Sequence, residues 1–314
     1  MHEFDLIARL TRNLPTHAGV VAGPGDDCAL LDLGLPLHWV VFKTDAVVEG
    51  IHFTSETPPE KVGHKAMARV LSDFAAAAAT PSAALVTLGL PLSHDPDRVE
   101  VLYQGLCDTA RRWNVAVVGG ETTTNPDRVL VSISALGTVA KDRSIRRSGA
   151  QPGDALFVSG ELGGSIDGHH LDFEPRLAEA RWLADHFKVH AMIDLSDGLA
   201  GDLRHLAEAS RVGAELLEES LPIRRAARVR ARSGSVDAKS PTLAALTDGE
   251  DYELLFAVAK GDAVAVLDGW KARFPDVPIA CIGRITAEPG VRLRDRQGPR
   301  PMPTHGFVHF PKRA

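Results

Sequence analysis

Acidic residues in this sequence gather where a folded chain finds them hard to keep. Asp26-Asp27 follow a Gly-Pro-Gly turn, and Asp45 follows Lys43-Thr44 just after the apolar run at 39–42. Asp73 precedes the alanines 75–79, beside a helical apolar stripe. Glu121 follows Gly119-Gly120 after the apolar run 115–118. Asp194 closes the run 191–194, and Asp197 comes three residues later. A carboxylate beside a core element is costly to bury without a partner. The candidate partners are a cation, a helix N-terminus or a bound metal. Asp27, Asp45, Asp73, Glu121, Asp194 and Asp197 come from both halves of the chain, so their convergence would demand cations. Oxygen-rich acidic sites with few histidines suit hard cations, magnesium first. Magnesium usually also coordinates substrate phosphates. The chemistry indicated is a polyphosphate held with several magnesium ions. Ordinary readings stay open for single residues: Asp26 and Asp27 suit a turn, and Asp197 suits a helix N-cap.

The elements that must position these acids read from periodicity. Strands are expected at 39–42, 84–88, 115–118, 129–139, 155–159, 191–194, 254–258 and 279–285, from β-branched or alternating apolar runs. Thr44, Asp45, Glu121 and Asp194 then fall at strand ends. Helices are expected at 3–12, 60–79, 96–113, 175–187, up to about 210 after Asp197, and 261–274, from apolar residues at i, i+3 and i+4 spacing. Strands mixed with amphipathic helices predict an α/β or α+β protein. The polar stretch 140–153 reads as a boundary between domains 1–140 and 141–314. After the strand at 155–159 comes Gly160-Glu161-Leu162-Gly163-Gly164-Ser165, a turn able to cradle phosphate with backbone N–H groups. It matches neither a Walker A loop nor GxGxxG. Thr247-Asp248-Gly249-Glu250-Asp251-Tyr252-Glu253 sets four acids against the strand at 254–258.

Composition narrows the class. The 314 residues are 44% hydrophobic and 24% charged, with a net charge of −6, as for a folded two-domain protein with no global basic field for nucleic acid. The basic clusters 224–232 and 292–300 read as solvated faces. Cys28, Cys107 and Cys281 are far apart and form no CxxC, so neither a zinc site nor a disulfide framework is suggested. A reducing cytoplasm fits. Glu3 and Asp5 interrupt any leader-like apolar run, and no apolar run is long enough to cross a bilayer.

Eight segments in order resemble the thiamine-monophosphate kinase family, within the superfamily of aminoimidazole ribonucleotide synthetase: GDDCALL (25–31), KTDAVVEGIHF (43–53), LSDFAAAAATP (71–81), GGETT (119–123), RSGAQPGDALFVSGELGGS (147–165), IDLSDGLAGDL (193–203), GEDYELLF (249–256) and IGRI (282–285). The resemblance implies a two-domain aminoimidazole ribonucleotide synthetase-like fold, with an N-terminal mixed sheet and helices and a C-terminal α/β domain. It implies a homodimer joined through the N-terminal sheets, and transfer of the γ-phosphoryl group of ATP to thiamine phosphate. It assigns Asp27, Thr44, Asp45, Asp73, Glu121, Asp194 and Asp197 to magnesium, with Lys43 offering a ligand through its backbone. It assigns Gly120, Arg147 and Ser196 to the nucleotide, and His52, Glu250 and Phe307 to thiamine phosphate. The acceptor is an ionised phosphate oxygen, so no general base is expected.

The sequence departs from the family at four places. Glu121 replaces the usual aspartate, Thr247-Asp248 replace Ser-Gly, Ala76 to Ala78 replace the usual Met-Gly, and Val308 stands where aspartate is common. The other superfamily enzymes fit less well. Selenophosphate synthetase would want a reactive cysteine in a Gly-rich N-terminal segment. The hydrogenase maturation carbamoyl-dehydration protein would want a C-terminal cysteine, where this sequence reads Pro-Lys-Arg-Ala. A metal-dependent phosphohydrolase and a nucleotide binder without turnover are the readings from other classes.

Overall fold

A computed structural model describes residues 3–233, 238–303 and Gly306. The first half runs α1 (Glu3–Thr11), β1 (Val20–Ala22), β2 (Ala29–Leu31), β3 (His38–Val48), α2 (Pro59–Ala76), β4 (Thr80–Leu90), α3 (Pro96–Arg112), β5 (Ala116–Thr124) and β6 (Leu130–Ala140). The second half runs β7 (Ala155–Ser159), α4 (His169–Asp172), α5 (Leu177–His186), β8 (Val189–Asp194), α6 (Leu199–Ser210), β9 (Gly213–Leu217), α7 (Arg225–Ala231), α8 (Pro241–Thr247), β10 (Leu254–Val258), α9 (Ala263–Arg273), β11 (Ile279–Thr286), β12 (Gly290–Asp295) and β13 (Gly298–Pro301).

Each half builds one mixed sheet. The first has the order β1-β2-β3-β6-β4-β5, and the second β13-β12-β9-β11-β7-β10-β8. Pairing is antiparallel except for β4–β5 and β12–β9. The expected strands and helices are present, most of them longer or shifted by a few residues. The short β1, β2, β9, β12 and β13 and the helices α7 and α8 were not expected, because short runs carry little periodicity.

Helix α2 is the central element. Pro59 in its first turn suits the missing N–H there. Val62, Ala66, Met67, Val70, Leu71 and Phe74 are buried along it. It packs on β3, on α3 and on α5 and β8 of the second half. Gly63 and Gly105 let α2 and α3 approach closely: a Cβ at Gly63 would lie 1.9 Å from the Leu102 carbonyl oxygen, and one at Gly105 2.1 Å from that of Glu60. One apolar core runs across both halves, from Met67 and Phe74 to Phe157, Phe256 and Trp270. Small residues at the end of α2, Ala75 to Ala77, are buried as their run suggested.

Three residues differ from the strand-end expectation. β3 continues to Val48, so Thr44 and Asp45 lie inside a strand. Glu121 lies inside β5 for the same reason. Among the described residues, no helix is long and apolar enough to cross a membrane.

Candidate active site

Three carboxylates from distant stretches meet at the join of the two halves. Asp27 comes from the turn before β2, Asp73 from the last turns of α2, and Asp194 from the end of β8. All three are buried, and each offers an oxygen within 4.8 Å of the others. Helical packing delivers Asp73, because α2 lies against both β3 and β8. Pairing of β8 with β10, Asp194 opposite Leu254, fixes the third acid.

Polar neighbours hold the trio in place. The Arg147 Nη2 and Nε both donate to Asp27 Oδ1, at 2.6 and 3.1 Å. The Arg147 backbone N–H donates to Asp26 Oδ1 at 2.8 Å. The Lys43 ammonium donates to Asp73 Oδ1 at 2.6 Å and lies 3.8 Å from Asp45 Oδ1. Ser72 Oγ donates to Asp194 Oδ2 at 2.6 Å.

The electrostatics are those of crowded acids. Burial pushes the Asp73 carboxyl well above the usual range, and Asp45, Asp194 and Asp27 add to this against the pull of Lys43. Burial and then Asp27 push Asp194 up to about 6, against Ser72, Lys43 and Arg147. Burial works against the Lys43 charge, but Asp73 and Asp45 overcome it and keep the ammonium protonated. Three buried carboxylates facing one another are the donor set of a hard divalent cation. The residues present therefore fit magnesium.

A cavity of about 230 Å³ lies near the trio, lined in part by His52, Arg69, Ser196, Asp197, Glu250 and Tyr252. Two residues assigned to thiamine phosphate by resemblance, His52 and Glu250, share its wall. A single buried ammonium ties them: Lys65 Nζ donates to the His52 carbonyl at 2.6 Å and to Glu250 Oε2 at 2.9 Å. Burial lowers the Lys65 pKa to about 8, partly offset by Glu250. Tyr252 Oη adds a hydrogen bond to Glu250 Oε1 at 3.2 Å. His52 Nδ1 accepts from the Val48 N–H at 3.0 Å.

Other predicted residues fall elsewhere. In the first sheet Asp45 pairs with Ile133, and Glu121 pairs with Thr87. Asp45 is on the face toward α2, whereas Thr44 and Glu121 are on the outer face with Ser134, whose Oγ donates to Thr44 Oγ1 at 3.1 Å. With β6 and β4 between β3 and β5, Glu121 stands about 14 Å from Asp45 across the sheet. Within one chain, Glu121 does not join the trio. Gly120 has a steric reason of its own: a Cβ there would lie 1.8 Å from the Val86 carbonyl oxygen. Phe307 and Val308 lie outside the described residues.

Asp197 is not the N-cap of α6. Gly198 occupies that position, and the missed residue Asp202 accepts from the N–H groups of Asp197 and Gly198, at 3.1 and 3.0 Å. The glycine turn at 160–165 is not an open phosphate cradle either. Its Gly163 N–H donates to Asp251 and its Gly164 N–H to Asp248. The acids of 248–253 are largely spent on structure: Arg224 pairs with Asp251 at 2.7 Å, and Arg176 with Glu253 at 2.6 Å. Arg224 and Arg230 are thus neutralising groups rather than a solvated face. Lys65, Arg69, Ser72 and Asp202 escaped the sequence reading. The signal for the first two was present, as charges on the stripe of α2 that also carries Asp73.

Two buried-acid halves joined by one helix define a class. Residues 25–139 match the family described as AIR synthase related protein, N-terminal domain, and residues 151–296 match its C-terminal domain counterpart. The thiamine-monophosphate kinase of Rhodopirellula baltica is 40% identical over 310 residues, covering 95% of this chain and 93% of that protein. That of Escherichia coli K12 is 34% identical, covering 98% of each. A solved structure of AaThiL complexed with AMPPCP and TMP superposes with a TM-score of 0.81 at 29% identity, covering 98% of this chain and 97% of that one. The chain belongs to the thiamine-monophosphate kinase family.

Proposed function

We propose that this chain transfers the γ-phosphoryl group of ATP to thiamine phosphate, giving thiamine diphosphate and ADP. The observation that carries the reading is the meeting of Asp27, Asp73 and Asp194 near a cavity walled by His52 and Glu250. The names of its relatives and the ATP analogue and TMP bound in AaThiL support the substrate pair.

Asp27, Asp73 and Asp194 would hold magnesium, with Asp45 and Asp197 close by and Lys43, Thr44 and Glu121 carried over from the family. Bound magnesium supplies charge neutralisation for two phosphate groups that otherwise repel. The protein's own contribution is positioning. Arg147 orients Asp27 and would face the nucleotide with Gly120 and Ser196. Lys65 holds Glu250 and His52 against thiamine phosphate, and the family resemblance assigns Phe307 to the same substrate. No residue need accept a proton, because the attacking oxygen is already ionised.

We take 1–140 and 141–314 as the two domains, supported by the two family matches on either side of 140–150. We also propose a homodimer through the outer face of the first sheet. Phe42, Leu85, Val118 and Leu136 are 44, 46, 63 and 44% exposed there, a contiguous apolar patch of the kind that a second copy covers.

The test is ADP release from ATP and magnesium, with and without thiamine phosphate, and identification of the thiamine product. ADP and thiamine diphosphate appearing together, only with thiamine phosphate, is the expected result. ADP release indifferent to thiamine phosphate would mean a phosphohydrolase, and no turnover at any magnesium concentration would mean a binding protein.

A further inference from the structure

Helix α2 carries Lys65, Arg69 and Asp73 at i, i+4 and i+8, so the three lie along one stripe, about 6 Å of helix rise apart at each step. Lys65 holds the Glu250 end of the cavity. Asp73 belongs to the carboxylate trio. Arg69 stands between them and lines the cavity itself.

Its guanidinium is under-used. Nη1 donates to the Ala46 carbonyl at 3.2 Å, and Nε is buried with no hydrogen-bond partner. Arg69 forms no ion pair among the described residues. The second guanidinium of the cavity wall, Arg230, is already taken by Asp167 at 2.7 Å and Asp248 at 3.2 Å. A guanidinium has five N–H donors, stays charged at any working pH, and matches phosphate with paired hydrogen bonds. Leaving its buried donor unsatisfied is costly. Only Nη1 is used, on the Ala46 carbonyl, so an anion entering the cavity that Arg69 lines would be met by the remaining Nη donors.

We infer that Arg69 binds the phosphate monoester group of the acceptor substrate, holding it between the Glu250 end of the cavity and the carboxylate trio. The identity of the acceptor as thiamine phosphate rests on the proposed kinase reading; the anion-binding role does not. Sequence spacing puts Arg69 on the stripe, and its place on the cavity wall without an ion pair, beside an already neutralised Arg230, marks it for this role.

The experiment is calorimetric binding to the full chain in magnesium, comparing wild type, Arg69→Met and Arg69→Lys. The ligands are thiamine phosphate, ATP and inorganic phosphate. Arg69→Met is expected to weaken thiamine phosphate roughly tenfold or more while ATP stays within about twofold, with Arg69→Lys between the two proteins. Equal loss for both ligands, or loss for neither, overturns the assignment. If Arg69→Met does not melt cooperatively, Arg69→Lys is read alone against the same criterion. If the wild type binds no thiamine phosphate, the kinase reading falls and the variants are compared on inorganic phosphate. Phosphate binding that the Arg69 variants lose upholds the site; phosphate binding that they keep, or none in the wild type, overturns it.

Discussion

Ser72 on α2 donates a 2.6 Å hydrogen bond to Asp194 at the end of β8, joining the two halves across 122 residues of sequence. The bond aims a buried carboxylate at Asp27 and Asp73 rather than into solvent. It also shows where the fold carries electrostatic cost, since burial and Asp27 already push Asp194 up to about 6.

Asp194→Asn should therefore abolish turnover and yet stabilise the metal-free protein at neutral pH. The upward shift corresponds to a gain on the order of 3 kcal/mol when the charge is removed. Melting in a chelator, then with added magnesium, checks it. The wild type should gain stability from magnesium, and the variant should gain much less.

The pH dependence of the metal-free protein has a definite sign. A carboxyl held above its unfolded value stays protonated in the native state while the unfolded chain ionises. Between the ordinary 3.8 and about 6, the Asp194 contribution to stability is lost as pH rises. Denaturation of wild type and Asp194→Asn across that window should show the difference between them widening, then levelling off above it.

Lys65 is wholly buried and pairs with Glu250 at 2.8 Å. Its pKa, lowered to about 8 by burial, means that it sheds its proton within an accessible range. Loss of that charge breaks the ion pair that holds Glu250. The kcat/KM for thiamine phosphate should fall above that pH, and the fall should be absent in Glu250→Gln. Rate profiles of the two proteins against pH decide this.

Gly63→Ala should destabilise despite better helix propensity. Alanine offers about 1 kcal/mol over glycine in a helix. Against this, the new Cβ would meet the Leu102 carbonyl oxygen at 1.9 Å, and forcing backbones apart in a packed core costs about 1–3 kcal/mol or more. Urea denaturation should show a net loss, and because α2 carries Asp73, activity should fall with it.

Val118→Asp tests the outer sheet face. At 63% exposed in one chain, Val118 costs that chain little when replaced, so the monomer fold should persist. A charge within an apolar interface should shift the protein to monomer in sedimentation. An unchanged dimer would place the contact elsewhere.

Residue types and their order were enough to establish much about this protein. Eight short segments named the family, apolar periodicity found α2, α3 and β6, because long amphipathic elements impose their spacing on the chain, and unbroken apolar runs found the wholly buried β7 and β10. That aspartates beside core elements would need partners was also legible, since a carboxylate is costly to bury alone. Only the tertiary structure decided which acids meet. Asp27, Asp73 and Asp194 converge because α2 is packed between β3 and β8. Glu121, equally acidic in the sequence, is kept away by the insertion of β6 and β4 between β3 and β5. The same holds for Lys65 and Arg69. Helical spacing says which residues share a stripe, but what lies opposite that stripe depends on how distant segments pack, and a lysine facing Glu250 has the same local sequence as one facing water.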